Sequence, residues 1–172
     1  AVLVNAPDPA DVCFVPNTTA GIGLVAEGFP WQPGDNVVLA AEEYPSNQYP
    51  WLNLRDRGVE VRTVPSRGSR VDAADVRAAM TDRTRVLSAS FVQFASGFRA
   101  DLDALGELCR GRGVFFFVDA IQGLGVFPLD VQRTPIDALA ADGHKWLLAP
   151  EGAGIAYVRR EWVDRLHPIG VG

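Results

Sequence analysis

The stretch VFFFVDA, residues 114–120, decides the fold class, because its five leading residues are all apolar and leave neither face of a strand for water. Strands of this kind are typical of a parallel sheet that carries helices on both faces. Six further apolar runs are predicted strands, and most of them share this character; they span residues 12–15, 36–40, 59–64, 84–91, 136–141 and 153–158.

Segments with helical periodicity separate these runs, at residues 18–29, 72–80 and 101–113. In the last of them Asp101 can cap the helix, and Gly111 or Gly113 can end it. Its inward stripe consists of leucines at helical spacing: Leu102, Leu105 and Leu108. The sequence therefore predicts an open α/β fold, with a mainly parallel sheet and helices on both faces.

Length and composition limit the classes of protein to consider. The 172 residues, 48% of them hydrophobic, provide for one core and one globular domain. A net charge of -5 with scattered basic residues argues against a nucleic-acid surface. No apolar run approaches the ~20 residues that span a bilayer, and the N-terminus lacks a signal-peptide pattern. We therefore expect no membrane association and a cytoplasmic location.

The two cysteines both lie in apolar surroundings. Cys13 belongs to the run VCFV, and Cys109 follows Leu105 at helical spacing. Neither has a neighbouring cation or helix start that would favour a thiolate. We expect both to be small core residues with reduced thiols.

Neither end of the chain has the sequence pattern expected at the end of a domain. Residues 1–9 look like the last turn of an amphipathic helix, and residues 160–172 begin a helix and then stop without a closing element. We therefore expect the chain to be a piece of a longer protein.

Polar residues follow three of the predicted strands, where open α/β sheets bind their ligands. Thr18 and Thr19 would open a helix and offer hydroxyls and N–H groups to an anion; the alternative is an ordinary N-cap. Asp119 ends a buried strand, with Gln122 one turn later; the alternative is a capping aspartate. Lys145 follows the next strand, and its alternative is a solvated loop tip.

One ligand requires these residues together. Two neighbouring parallel strands would place Asp119 and Lys145 at the same edge of the sheet, beside the helix that begins at Thr18. Pyridoxal 5'-phosphate needs an amine for its aldehyde, a carboxylate that keeps its ring nitrogen protonated, and a site for its phosphate. The sequence therefore favours this cofactor.

Four segments also carry a resemblance to a known family: VPNTTAGI, EEYPSNQYPW, VDAIQGLG and DGHKWLLAPEG. In this order and spacing they resemble the class V aminotransferases of pyridoxal-phosphate fold type I, the group that contains cysteine desulfurases and isopenicillin N epimerase-like proteins. The resemblance extends from about Asn5 to Arg159. It implies the fold of the large, cofactor-binding domain.

The resemblance implies a role for each matching residue. Lys145 would form the Schiff base with the cofactor and then move the proton at the substrate's α-carbon. Asp119 would pair with the ring nitrogen, and Gln122 would donate to the ring hydroxylate. The remaining implied contacts are the phosphate site formed by Thr18 and Thr19, and His144 on the phosphate or substrate side.

Three positions depart from the family's pattern. Tyr44 stands where many members stack a histidine on the ring; a phenol can stack but is a poor base near neutral pH, and the alternative is a packing aromatic. Phe94 falls where desulfurases often have asparagine, so the neighbouring Gln93 is the candidate for the ring hydroxyl. Asp142 replaces a phosphate-binding serine, so it either turns away or contacts another donor.

The expected activity follows from the resemblance. Residues 1–172 would be a partial large domain that lacks an N-terminal segment and the C-terminal small domain, and this chain alone would be inactive. The full-length protein would be a homodimer that acts on an amino acid by transamination or related chemistry. The alternatives are a cysteine desulfurase, selenocysteine lyase or epimerase-like activity, and a non-catalytic scaffold.

Overall fold

Seven strands form a single sheet in the computed structural model, which describes residues 1–169. In sheet order they are β1, β7, β6, β5, β4, β2 and β3. Strands β2 to β6 run parallel to one another, whereas β7 is antiparallel to both β6 and β1. The predicted mainly parallel sheet is confirmed. The strand bounds are β1 Val12–Val15, β2 Asn36–Ala40, β3 Glu60–Val64, β4 Thr84–Ser90, β5 Phe115–Asp119, β6 Ala138–Ala141 and β7 Gly154–Val158.

Helices cover both faces of this sheet, as the apolar strands predict. One buried cluster lies beneath the third and fourth helices, and a second lies beneath the first two. The helices are α1 Thr18–Gly28, α2 Tyr49–Leu52, α3 Ala73–Ala79, α4 Leu102–Arg112 and α5 Arg160–Val163. Among residues 1–169, no helix has the length and apolar character that crossing a membrane requires.

The ends of α4 follow the predicted capping pattern. The side chain of Asp101 accepts a hydrogen bond of 3.0 Å from the N–H of Ala104. Gly113 adopts a left-handed conformation, with φ at 64°, and ends the helix. Leu102, Leu105 and Leu108 are all buried beneath it.

The first strand corrects one prediction. Cys109 is buried as expected, but Cys13 is exposed, so its assignment to the core is wrong. The physical reason is the position of β1 at the edge of the sheet, where Phe14 is also 89% exposed. An apolar run predicts burial on both faces only for strands in the interior of a sheet.

A glycine sets the distance between α1 and the sheet. A Cβ atom on Gly21 would lie 2.4 Å from the Cβ of Ala140 in β6, which is closer than any real contact. Only glycine lets the helix backbone approach this strand so closely. The first turn of α1 is thereby placed beside the carboxyl end of β6.

Candidate functional site

Asp119 is the last residue of β5 and is 3% exposed. Its Oδ1 accepts a hydrogen bond of 3.2 Å from the N–H of Ile121. Burial raises the pKa of this carboxyl to about 7; the charge of Glu43 also raises the pKa, while the Ile121 N–H and Lys145 lower it. A buried carboxyl whose charge is balanced by only one hydrogen bond and one nearby amine among the described residues is typical of functional sites.

Lys145 follows β6 and is the only lysine among the 172 residues. Its Nζ lies 5.8 Å from the centroid of the Tyr44 ring, which in turn meets the Phe94 ring edge-on at 5.0 Å. Among residues 1–169, no carboxylate lies within ion-pairing distance of this amine. The amine therefore has no carboxylate partner among the described residues, and it lies near the charge of Asp119 and the rings of Tyr44 and Phe94.

The first turn of α1 presents the hydroxyl groups that the sequence singles out. Asn17 is the N-cap, and its Oδ1 accepts from the N–H of Ala20 at 2.8 Å. Thr18 is buried and accepts from the N–H of Asp142 at 2.9 Å, whereas Thr19 is exposed and donates to Ser46 Oγ at 2.9 Å. The N-cap alternative and the anion-site prediction are therefore compatible, because different residues fill the two roles.

Asp142 uses its carboxylate within its own loop. Oδ1 accepts from the N–H of Gly143 at 2.6 Å, and Oδ2 lies 2.8 Å from Nδ1 of His144. The loop is tight, since a Cβ on Gly143 would lie 2.4 Å from the carbonyl oxygen of Ala153. Of the two expected outcomes for Asp142, contact with other donors is the one observed. His144 is drawn toward this carboxylate.

The two glutamines occupy different surroundings. Gln122 lies on the turn after β5 and is partly buried, one turn beyond Asp119. The side chain of Gln93 instead lies against the carboxylate of Glu43, and its Oε1 is buried with no hydrogen-bond partner in the described part of the chain. The role of Gln93 toward a ring hydroxyl stays a prediction.

Glu43 and Ser46 belong to this site and were missed by the sequence analysis. Glu43 is 3% exposed, and its carboxylate accepts from both the N–H and the hydroxyl of Ser90. Burial, the largest influence, raises its pKa, as for Asp119. An acidic residue just beyond a buried strand was the signal that selected Asp119, and applied to β2 it would have found Glu43 as well.

The arrangement fits pyridoxal phosphate on its donor set. At one edge of the sheet lie an amine with no ion pair in the described part of the chain, a buried carboxyl, an exposed aromatic ring and a helix start with two hydroxyls. The sequence analysis expected Thr18, Asp119 and Lys145 at this edge, and Thr19, Tyr44 and His144 lie there too. The roles of all six toward the cofactor stay predictions. The backbone approach permitted by Gly21 holds the helix start against β6.

Comparison with known proteins agrees with this geometry. The family described as Aminotransferase class-V matches residues 1–172. A probable cysteine desulfurase of Methanothermobacter thermautotrophicus is 34% identical over 163 residues, which cover 94% of this chain and 41% of the relative. The isopenicillin N epimerase of Streptomyces clavuligerus is 34% identical over 170 residues, covering 95% and 42%. The chain therefore spans less than half the length of these relatives.

Solved structures show the same fold. The cysteine desulfurase CsdA of Escherichia coli is 31% identical, with a TM-score of 0.94 over 100% of this chain and 44% of that protein. The second is C-DES, whose variant with glycine covalently linked to the PLP cofactor is 27% identical, with a TM-score of 0.92 over 98% and 46%. The fold is thus that of the fold type I large domain, as the resemblance implies.

Proposed function

Because the chain belongs to the class-V aminotransferase family, a family of pyridoxal-phosphate-dependent enzymes, we propose that it binds this cofactor through Lys145 and acts on an amino acid. Residues 1–172 would form part of the large domain. The rest of such an enzyme would contribute a small domain, and a second copy would complete a homodimer.

One observation carries this proposal: at one edge of the sheet a buried, poorly compensated carboxyl lies near an amine that has no ion-pair partner among residues 1–169. Asp119 accepts one protein hydrogen bond among the described residues, and its pKa is about 7. Burial of an acid in this state costs stability, so a fold retains it where a ligand compensates the charge. A protonated ring nitrogen is such a ligand.

Each residue then has a definite task. When bound, pyridoxal phosphate supplies an electron sink for charge at the substrate's α-carbon. Asp119 would hold the proton on the ring nitrogen, and Lys145 would take and return the proton at the α-carbon. Tyr44 would cover one face of the ring, while the first turn of α1, with Thr18 and Thr19, would bind the phosphate.

The glutamines and His144 would act at the edges of the ring. Gln122 would donate to the ring hydroxyl from its turn beyond Asp119. Gln93 would do so only after leaving the carboxylate of Glu43, which it now contacts. His144, held by Asp142 through Nδ1, would offer Nε2 to the phosphate.

Cysteine is the first substrate to test, with cleavage of its carbon–sulfur bond as the reaction. Sulfur chemistry is supported by the cysteine desulfurases, which are similar both in sequence, at 34% identity, and in structure, at a TM-score of 0.94. Epimerisation is the second candidate, because an isopenicillin N epimerase is equally similar at 34% identity. Transamination is the third candidate, because the matching family is described as Aminotransferase class-V.

The test begins with the cofactor. Pyridoxal phosphate is added to the purified intact protein, the visible absorption is recorded, and borohydride reduction is followed by mass spectrometry of the peptide around Lys145. We expect the pyridoxyl mass on this lysine, the only one in residues 1–172. The matched control is Lys145→Arg, which keeps the charge but offers no reactive amine.

The reaction is then identified on the loaded protein. L-cysteine is assayed, with a thiol present as the two-electron reductant, for sulfide and alanine. Chiral chromatography follows epimerisation of amino acids, and a keto-acid acceptor reveals transamination. Sulfide release lost in Lys145→Arg would establish the first candidate. Cofactor attached elsewhere, or activity that survives the arginine variant, would contradict the proposal.

A further inference from the structure

Asp142 is a charged residue, 5% exposed, beside the first turn of α1. Three hydrogen bonds fix it: its own N–H donates to Thr18, and its carboxylate accepts from Gly143 and from His144. These bonds join the end of β6, the start of α1 and the residue before Lys145. Asp142 is therefore the point at which three parts of the site are connected.

The contact with His144 determines which ring nitrogen is available. A carboxylate only accepts hydrogen bonds, so at 2.8 Å from Oδ2 the proton must be on Nδ1 of His144. The other nitrogen, Nε2, is then the ring atom left for a ligand. Carboxylates commonly fix both the tautomer and the orientation of a histidine in this way.

The contact with Thr18 likewise determines how the Thr18 hydroxyl can bind a ligand. Thr18 Oγ1 receives the N–H of Asp142, so the oxygen is an acceptor in that bond. Its own O–H proton remains available for donation to another acceptor. Because Thr18 is 4% exposed, few rotations of this group are open to it.

We propose that Asp142 is a positioning residue, which orients the Thr18 hydroxyl through its backbone and the His144 ring through its carboxylate so that both serve the cofactor's phosphate. This inference rests on the proposed function. Asp142 would not contact the phosphate itself, since both of its oxygens accept from donors in its own loop. Replacing it would thus weaken the phosphate contact while leaving the pyridine ring's contacts in place.

The experiment compares two ligands that differ only in the phosphate. Affinities for pyridoxal phosphate and for pyridoxal are measured by absorption titration in the intact protein, for wild type, Asp142→Ala, His144→Ala and the double variant. We expect Asp142→Ala to lower the preference for the phosphorylated ligand roughly tenfold. The double variant should lose no more than His144→Ala alone, because Asp142 acts through that ring.

Two further variants separate positioning from damage to the fold. Asp142→Asn keeps the size and one acceptor oxygen, so it should lose less than Asp142→Ala. Asp82→Ala removes an exposed aspartate before β4, at the opposite edge of the sheet, and should leave the preference unchanged. Thermal unfolding of each variant checks that it is folded.

Different results would overturn the positioning role of Asp142 and the proposed cofactor binding at Lys145. Equal weakening of both ligands, an unchanged preference, or additive losses in the double variant would each overturn the positioning role. Wild-type protein that bound neither ligand at Lys145 would overturn the proposed function, and the inference with it. A selective loss for pyridoxal phosphate that His144→Ala reproduces is the expected result.

Discussion

Two buried aspartates, Asp35 and Asp119, lie at opposite ends of the parallel strands, which are called here the amino edge and the carboxyl edge of the sheet. They differ in how their negative charge is compensated. Asp35, which precedes β2 at the amino edge, is 1% exposed and pairs with Arg83 and Arg85, each at 3.1 Å. It also accepts from the N–H of Gln32 at 2.8 Å. Asp119, at the carboxyl edge, is 3% exposed and accepts from the N–H of Ile121 alone among the described residues.

The difference shows which buried charge belongs to the fold and which serves a ligand. At the amino edge two guanidinium groups compensate the carboxylate of Asp35 within the chain. At the carboxyl edge Lys145 is the one cation among the described residues that lowers the pKa of Asp119, and Glu43 adds a second acid. We expect removal of Asp35 to affect stability and removal of Asp119 or Lys145 to affect chemistry.

The largest effect is expected for Lys145→Ala. Turnover should fall on the order of 10³-fold or more, because residues 1–172 contain no other lysine that could take its place. Stability should change little, since this amine has no ion pair in the described residues to lose. Steady-state kinetics and urea unfolding measure the two quantities, and a large loss of stability would contradict the comparison.

The next test exchanges the two aspartates for asparagine. Asp119→Asn should lower turnover about 10²-fold or more, because the ring nitrogen loses its acid partner. Asp35→Asn should instead lower the free energy of unfolding by about 2 kcal/mol, because the two arginines lose the negative charge that pairs with them. Kinetics and urea unfolding of both variants test this. If both variants lost turnover and stability to the same extent, the two aspartates would not differ as proposed.

The pH dependence of the free energy of unfolding should show the buried carboxyl of Asp119 directly. The pKa of Asp119 is about 7 in the folded, cofactor-free protein and about 3.9 when unfolded. Between these values the folded state binds more protons, so the free energy of unfolding falls as pH rises, by at most about 1.4 kcal/mol per pH unit.

Urea unfolding of the cofactor-free protein from pH 4.5 to 8 measures this slope. Asp119→Asn should remove part of it, so that the variant gains stability relative to wild type as the pH rises toward 7. Glu43, whose pKa is raised as well, should account for part of the slope that remains. Parallel curves for the variant and wild type would contradict the raised pKa.

The last test concerns two glycines of α1 and the stability of the fold rather than turnover. Gly21→Ala should lower the free energy of unfolding by about 1–3 kcal/mol and weaken cofactor binding, because the new Cβ meets Ala140 at 2.4 Å. Gly23→Ala is the matched control, since its Cβ would have nothing within 4 Å and should stabilise the helix by about 0.5–1 kcal/mol. Thermal unfolding distinguishes the two, and a loss for both would refute the packing explanation.

Much of the fold was predictable, because strands in the interior of a parallel sheet are apolar on both faces. All seven predicted strands form, and the cap at Asp101 and the glycine at Gly113 end α4 as expected. The error at Cys13 has a related cause: apolar composition does not reveal that a strand lies at the edge of its sheet.

The sequence by itself determined the chemistry available: one lysine, an aspartate that ends a buried strand, and two threonines that open a helix. Each follows from local pattern, since a strand end and a helix start are set by neighbouring residues. Only the tertiary structure decided that Asp142 turns to His144, that Glu43 lies close enough to Asp119 to raise its pKa, and that Thr19 donates to Ser46. The last two contacts join residues from different strands and loops, and their distances depend on packing such as that of Gly21 on Ala140, which local pattern does not encode.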